Sequence, residues 1–338
     1  MVNTATVMYL IDLSGSLLGL PLNLLLILTI FKTSEKKLQS YSYLFLAGAC
    51  FDAFFGLVEI LTQHQLVITG GVFYVLPHWI EHDISPNAQL FTFFLHCFVV
   101  THGCFILAAL YRFRYLIIKR GQVSPWELWK GLIVTSACST VLGLSLPFGV
   151  WQAKGRGSAF YLAMINRSLF NENFDKWANR REEWSIDGFF SYFLYVADIR
   201  DFGTAFFFYG AFVVLSACLS VSFFFGYKSW KFVGSSEVET INAFVFAIFP
   251  IGLVSLAMMF RVDAQAIGEG VMTPLSWLPT ANAIMTLYCV KAYRNYVKYL
   301  VCFCTNRSLL KGGSEAAPAA SKYQIPGPHS RVTPSVLA

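Results

Sequence analysis

Four ionisable side chains stand inside long apolar runs: Asp52, Glu59, His96 and His102. Groups of this kind can exchange protons, ligate a metal or read a polar atom on a ligand, and at membrane depth they face a bundle interior or water. Asp52 and Glu59 are seven residues apart, nearly two helical turns, so they share one helix face. That face is either a ligand-contact or coupling surface, or a hydrogen-bond network completed by Asn23 on the preceding run. His96 and His102 are six residues apart, which turns the helix about 120° out of alignment. A metal site made by both is therefore not expected. The chain contains no G-x-S-x-G, H-E-x-x-H, P-loop or dinucleotide fingerprint,. Its eight cysteines include no C-x-x-C pair,. The sequence thus predicts neither an enzyme nor a bound cofactor.

The elements that must hold these groups follow from composition. Hydrophobic residues make up 56% of the 338-residue chain and charged residues 13%, about half the charged share of a soluble domain. Lipid is the natural solvent for such a chain. Seven apolar runs are long enough to cross a hydrocarbon layer about 30 Å thick. They lie at 8–31, 41–63, 88–111, 128–151, 204–227, 241–260 and 271–290. The fold class predicted is an all-α membrane protein, a seven-transmembrane helix bundle over residues 1–304. A long loop at 152–203 interrupts it, and a disordered cytoplasmic tail at 305–338, rich in Ala, Pro, Ser and Gly, follows it,. The first basic residue after Met1 is Lys32, so the first helix is expected to serve as the insertion signal rather than a cleaved peptide,.

Basic residues set the orientation. Lys32, Lys36 and Lys37 follow the first run; Arg112, Arg114, Lys119 and Arg120 follow the third; Lys228 and Lys231 follow the fifth. The alternate short segments are nearly bare, with only Arg261 between the sixth and seventh runs. This bias puts the N-terminus outside and the C-terminus in the cytoplasm. The net charge of +6 is accordingly read as topology, not as a nucleic-acid footprint. The acceptor Asn166-Arg167-Ser168 falls in the long outer loop, where Asn166 can be glycosylated,.

Further candidates sit at helix ends and bends. Tyr111, Arg112, Arg114 and Tyr115 close the third run and can either meet a cytoplasmic partner or simply snorkel to the interface,. Pro147 and Pro250 lie inside the fourth and sixth runs, as hinges or static bends,. After the seventh run, Tyr293–Cys304 mixes apolar residues with Arg294 and Lys298, the pattern of a short amphipathic helix along the inner membrane surface,. Cys302 and Cys304 are then candidates for palmitoylation. Glu59, Gln89, Phe93 and His96 are the candidate ligand contacts in the outer half,.

Three stretches carry a family resemblance. They are Gly19-Leu20-Pro21-Leu22-Asn23-Leu24-Leu25-Leu26 with the following Lys32–Leu38 loop, Tyr111-Arg112-Phe113-Arg114-Tyr115, and Trp277-Leu278-Pro279-Thr280-Ala281-Asn282 running on to Tyr288 and Arg294. In this order the chain resembles the nematode seven-transmembrane chemosensory receptors of the Str superfamily, with its Srh, Sri, Srj and Srd relatives, which share the rhodopsin-like G-protein-coupled layout. The resemblance implies a receptor for a small odorant or pheromone, signalling to a heterotrimeric G protein from the plasma membrane of a sensory cilium. It places Asn23, Asp52 and Asn282 in an intramembrane polar network and Tyr111, Arg112, Arg114 and Tyr115 at the G-protein end. Either arginine can be the counterpart of the rhodopsin-like helix-3 arginine.

The chain departs from the rhodopsin-like pattern in three respects. The 152–203 loop has no cysteine, so the usual disulfide from helix 3 to that loop cannot form. Tyr111 and Phe113, not acids, precede the two arginines, so an acid–arginine lock between adjacent residues is absent. The NPxxY pattern is also missing, with Asn282 and Tyr288 as the nearest equivalents. A second reading, a seven-helix ligand-gated channel or transporter, would use Asp52, Glu59, His96 and His102 to line a polar path.

Overall fold

The computed structural model describes residues 4–33, 39–62, 64–76, 85–154, 195–233, 249–262 and 265–312. Eight helices lie in these segments: α1 Thr4–Thr33, α2 Gln39–Thr62, α3 Pro86–Arg120, α4 Pro125–Lys154, α5 Phe202–Val233, α6 Phe249–Met259, α7 Gln265–Cys289 and α8 Lys291–Gly312. Five of them, α1 to α5, are long and apolar enough to cross a membrane. The described part of α6 is 11 residues. The residues expected to begin it, 241–248, lie outside the described segments, as do Asn166 and the tail from 313.

Helix ends are written in the sequence. Ser85 caps α3, its hydroxyl accepting from the Ala88 amide, and Pro86 fills the first turn, where no intrahelical N–H partner is needed,. At the other end Gly121 adopts φ 77° and returns its N–H to the Ile117 carbonyl at 2.7 Å,. Between these signals α3 runs 35 residues. At 1.5 Å per residue it is about 50 Å long, well beyond the hydrocarbon layer. The segment carrying Arg112 and Arg114 is therefore a helical extension, not a loop. In α7 the two prolines at 274 and 279 lie within the helix, which starts earlier than their presence suggests.

The all-helical expectation needs one correction. Two strands, β1 Gln65–Thr69 and β2 Val72–Leu76, form an antiparallel hairpin directly after α2. A third, β3 Tyr195–Asp198, pairs antiparallel with β2, giving the order β1-β2-β3. The hairpin turn is Gly70-Gly71, with φ 58° and 80°. Two consecutive positive φ values fit a two-residue hairpin turn, and glycine adopts them without steric cost. Ile68, Val75 and Ala197 are fully buried. They join one apolar cluster with Phe55 of α2, Phe93 of α3, Leu146 of α4 and Phe208 of α5. The sheet thus roofs one end of the bundle.

Close packing of α1 against α7 comes from small residues. A Cβ on Gly15 would stand 2.8 Å from Cδ1 of Trp277, and one on Gly19 would stand 2.9 Å from Oγ1 of Thr280. Approach at this distance lets polar groups bond across the helices: Thr280 donates to the Gly15 carbonyl at 2.7 Å and Trp277 to the Ile11 carbonyl at 3.1 Å,. The compact bundle extends through Tyr296.

Candidate functional site

Beneath the sheet lies a cavity of about 60 Å³ between α3, α4, α5, α6 and α7. Phe93, Cys97, Phe207, Phe208, Val254 and Leu275 give it an apolar wall, with Leu66 and Phe73 of the hairpin above. Its polar lining is His96, Thr101 and Ser255. Thr101 gives its hydroxyl to the Cys97 carbonyl at 2.8 Å, within its own helix.

His96 is held from behind. Its Nδ1 is 3.2 Å from Oγ1 of Thr62. It is also 3.2 Å from Oε1 of Glu59, an oxygen that itself makes no hydrogen bond. Glu59 and His96 are each 4% exposed. His64, just past the end of α2, packs edge-on to His96 at 4.5 Å between ring centroids. Tyr195 of β3 stacks on Phe93 at 4.5 Å and donates to the Gln89 carbonyl at 2.9 Å. Of the four predicted ligand contacts, Phe93 and His96 line the cavity. Glu59 supports His96, and Gln89 ties the sheet to α3. His102 is placed elsewhere, stacked on Phe98 and 3.4 Å from the Ser139 hydroxyl.

A second cavity, of about 130 Å³, opens between α1, α2, α3 and α7 nearer their other ends. Asp52, Asn282, Tyr111 and Arg114 line it. Asn282 donates to Oδ2 of Asp52 at 3.1 Å. Asn23 does not complete this pair. Its amide donates instead to the Gly19 carbonyl at 2.9 Å and across to the Pro279 carbonyl at 3.0 Å. The two arginines of α3 diverge because residues two apart point to different sides of a helix. Arg114 faces the cavity, while Arg112 donates to Oε2 of Glu127 in the first turn of α4 at 2.9 Å. Lys130 donates to the other oxygen of Glu127 at 3.0 Å. The acid missing beside Arg112 in the chain is thus supplied from α4. Tyr115 packs on Phe225 of α5, with the ammonium of Lys228 5.8 Å from its ring,.

Sequence reasoning did not find Thr62, His64, Tyr195 or Glu127. His64 and Tyr195 border or belong to the sheet, whose signal was legible for its hairpin: two β-branched runs separated by Gly70-Gly71,. Glu127 carries the ordinary mark of a helix first turn and gave no sign of its cross-helix partner,.

Comparison with known proteins agrees with this architecture. Residues 11–155 match the family of serpentine type 7TM GPCR chemoreceptor Srd, and residues 237–298 match serpentine type 7TM GPCR chemoreceptor Str. Serpentine receptor class delta-3 of Caenorhabditis elegans is 36% identical over 111 residues, 32% of this chain and 31% of that protein. Serpentine receptor class delta-1 of the same organism is 31% identical over 106 residues, 30% of this chain and 28% of that protein. The alignments span about a third of the length of these relatives. Both family models and both relatives are serpentine chemoreceptors, the kind of protein that this chain resembles over residues 11–155 and 237–298. Its five described helices long and apolar enough to cross a membrane make it a multi-pass membrane protein.

Proposed function

We propose that this chemoreceptor crosses the plasma membrane of a sensory cilium seven times, with its N-terminus outside and its C-terminus in the cytoplasm. It binds a small environmental or pheromonal molecule in the cavity under the sheet and signals to a heterotrimeric G protein. The observation that carries this reading is the apolar cavity under the sheet with His96 set into its wall, the composition expected of a small-molecule site. The basic residues that end α3 and α5 supply the orientation,.

The mechanism is a population shift. A ligand held by α3, α5, α6 and α7 favours one arrangement of those helices over another. The inner ends of α3 and α5, with Tyr111, Arg112, Arg114, Tyr115 and Lys228, then present a docking surface to the G protein. Membrane lipid is the second partner: α8 lies along the inner surface and is anchored by palmitoyl groups on Cys302, which is exposed, and on Cys304,. Asn166 carries an outer glycan.

A second-messenger and calcium readout in a heterologous cell, screened against volatile and pheromone pools, tests the proposal. The expected response disappears when G-protein coupling is blocked. An ion current that persists under the same block would refute it.

A further inference from the structure

Arg261, at the turn that ends α6, stands against two preferences at once. It is the only basic residue between the sixth and seventh apolar runs, on the side where the charge bias keeps basic residues scarce,. Its φ is 54°, a left-handed conformation that glycine takes freely and that a Cβ opposes,. The backbone there is an ordinary helix stop. The Arg261 amide donates to the Met258 carbonyl at 3.2 Å, and the Val262 amide to the Ala257 carbonyl at 3.0 Å. That pair of bonds places Arg261 at the position just past a helix where glycine is most common. Local rules call for glycine here, and the chain has a long side chain instead.

The hairpin shows what that side chain meets. A Cβ on Gly71 would stand 2.7 Å from Cγ of Arg261 and 3.3 Å from its Cβ. The stem of Arg261 therefore lies directly on the β1–β2 turn, in space that a side chain at 71 would claim. The Gly71 carbonyl also accepts from the Ile199 amide at 3.0 Å, just past β3, so the turn cannot shift without the third strand. Both partners reach the cavity under the sheet. The hairpin supplies Leu66 and Phe73 to its lining. From α6 come Ile251, Val254 and Ser255, all within about three turns of Arg261,.

We propose that the hairpin turn and the stem of Arg261 form a latch between the roof and the outer end of α6, and that the helix rearrangement behind signalling requires the latch to open. The proposal rests on the reading of this chain as a ligand-driven receptor. While the stem is seated, α6 cannot tilt away from the sheet without drawing the hairpin with it. A molecule in the cavity presses on both sides of the latch, on Phe73 of the roof and on Val254 of α6. The silent arrangement is the one with the stem on Gly71, and a ligand that favours the parted arrangement shifts the population towards it.

Two measurements test the latch, and the first needs no ligand. Amide hydrogen exchange is compared between the wild type and Arg261→Gly, each as the purified full-length chain in nanodiscs. Were Arg261 only the end of α6, glycine would suit its backbone better, and exchange at 258–262 would slow or stay unchanged. The latch predicts the opposite: exchange at 72–76 and at 258–262 speeds up together, by about ten-fold. Slower or unchanged exchange, or faster exchange in one segment alone, would overturn the proposal. The second measurement locks the contact. The 3.3 Å between the two Cβ positions is just short of the usual disulfide range, so Gly71→Cys/Arg261→Cys is expected to cross-link on mild oxidation, as read by peptide mass mapping,. In the second-messenger assay the oxidised double variant should lose about ten-fold or more of its ligand response and regain it on reduction, while neither treatment changes the single variants. A cross-linked protein that responds as the wild type does, or a pair that will not cross-link, sinks the latch. A wild type that answers no ligand refutes the signalling reading alone, and the exchange result then decides whether the roof and α6 are latched.

Discussion

The bundle holds two polar clusters, and they are closed in different ways. The His96–Glu59–Thr62 cluster sits under a three-stranded sheet, with Phe93 and Tyr195 stacked beside it, each no more than 8% exposed. The Asp52–Asn282 pair lines the larger cavity, with Tyr111 and Arg114 at its wall and no sheet among its lining residues. The first cluster is braced by aromatic packing and strand pairing, which fix side-chain positions before a ligand arrives. The second includes the hydrogen bond from Asn282 to Asp52, which joins α7 to α2. A recognition site gains from the first kind of construction, because ordering costs are met in advance. A region that must rearrange gains from the second, because no strand pairing holds its lining residues,.

The stacked aromatic pair is where that contrast is most easily broken. Phe93 is 1% exposed and touches both the cavity and the sheet. Phe93→Ala is expected to cost about 3–5 kcal/mol, from lost burial and the void left behind. The drop in apparent melting temperature of the purified protein measures it. Tyr195→Phe keeps the stack and removes only the bond to the Gln89 carbonyl, so it should cost about 1 kcal/mol,. If the two variants melt alike, the sheet is held by the hydroxyl rather than by packing, and the roof is looser than described.

The helices were legible because an apolar run of about 20 residues has few alternatives to a membrane helix. The ends were less so. The reading of α3 stopped at Tyr111, where the apolar run gives way to arginines, yet the backbone continues to Gly121. A helix needs no apolar residues once it has left the lipid, only the absence of a stop signal, and the first such signal is that glycine. The hairpin was missed for the opposite reason. Leu66–Leu76 is apolar and uncharged, and it was read as bare outer loop when only its charge was counted. Its β-branched runs and glycine pair carried the information,. The pairing of β3 with β2 was beyond the sequence, since more than a hundred residues separate the partners. Of the three residues expected in one polar network, Asn282 bonds Asp52, whereas Asn23 bonds backbone carbonyls. An amide can bond a helix carbonyl as readily as a side chain, and spacing alone does not choose among them.

The Asp52–Asn282 bond sharpens the comparison from the other side. Asp52→Ala removes the acceptor that the Asn282 amide reaches across to α2 and is expected to cost about 1–3 kcal/mol,. Asp52→Asn keeps an acceptor oxygen in place and should cost much less. Thermal melting of the two variants reads the difference. If the second cluster is the part that rearranges, both variants should also change agonist-independent signalling in the proposed assay while leaving agonist affinity at the cavity under the sheet within about two-fold, since the cavities share no lining residue,. A large loss of binding in Asp52→Asn would show that the two clusters are not separable.

The smallest effect on stability is expected at the Arg112–Glu127 pair, which is partly exposed on both sides. Pairs of this kind add little to folding, because water screens them and two long side chains must be held still. Glu127→Gln should therefore melt close to the unchanged protein. Its effect on signalling is a separate matter. Glu127 joins the inner end of α3 to the start of α4 and also binds Lys130, so neutralising it frees Arg112 from its partner. Arg112→Ala and Arg114→Ala then divide the two functions that sequence left undecided. Arg114 lines the cavity beside Asp52, and its loss should act in the same direction as Asp52→Ala. Arg112 points to α4, and its loss should reproduce Glu127→Gln. Additive effects of Arg112→Ala and Glu127→Gln in the double variant would mean that the two act independently, and the α3–α4 link would then have no part in signalling.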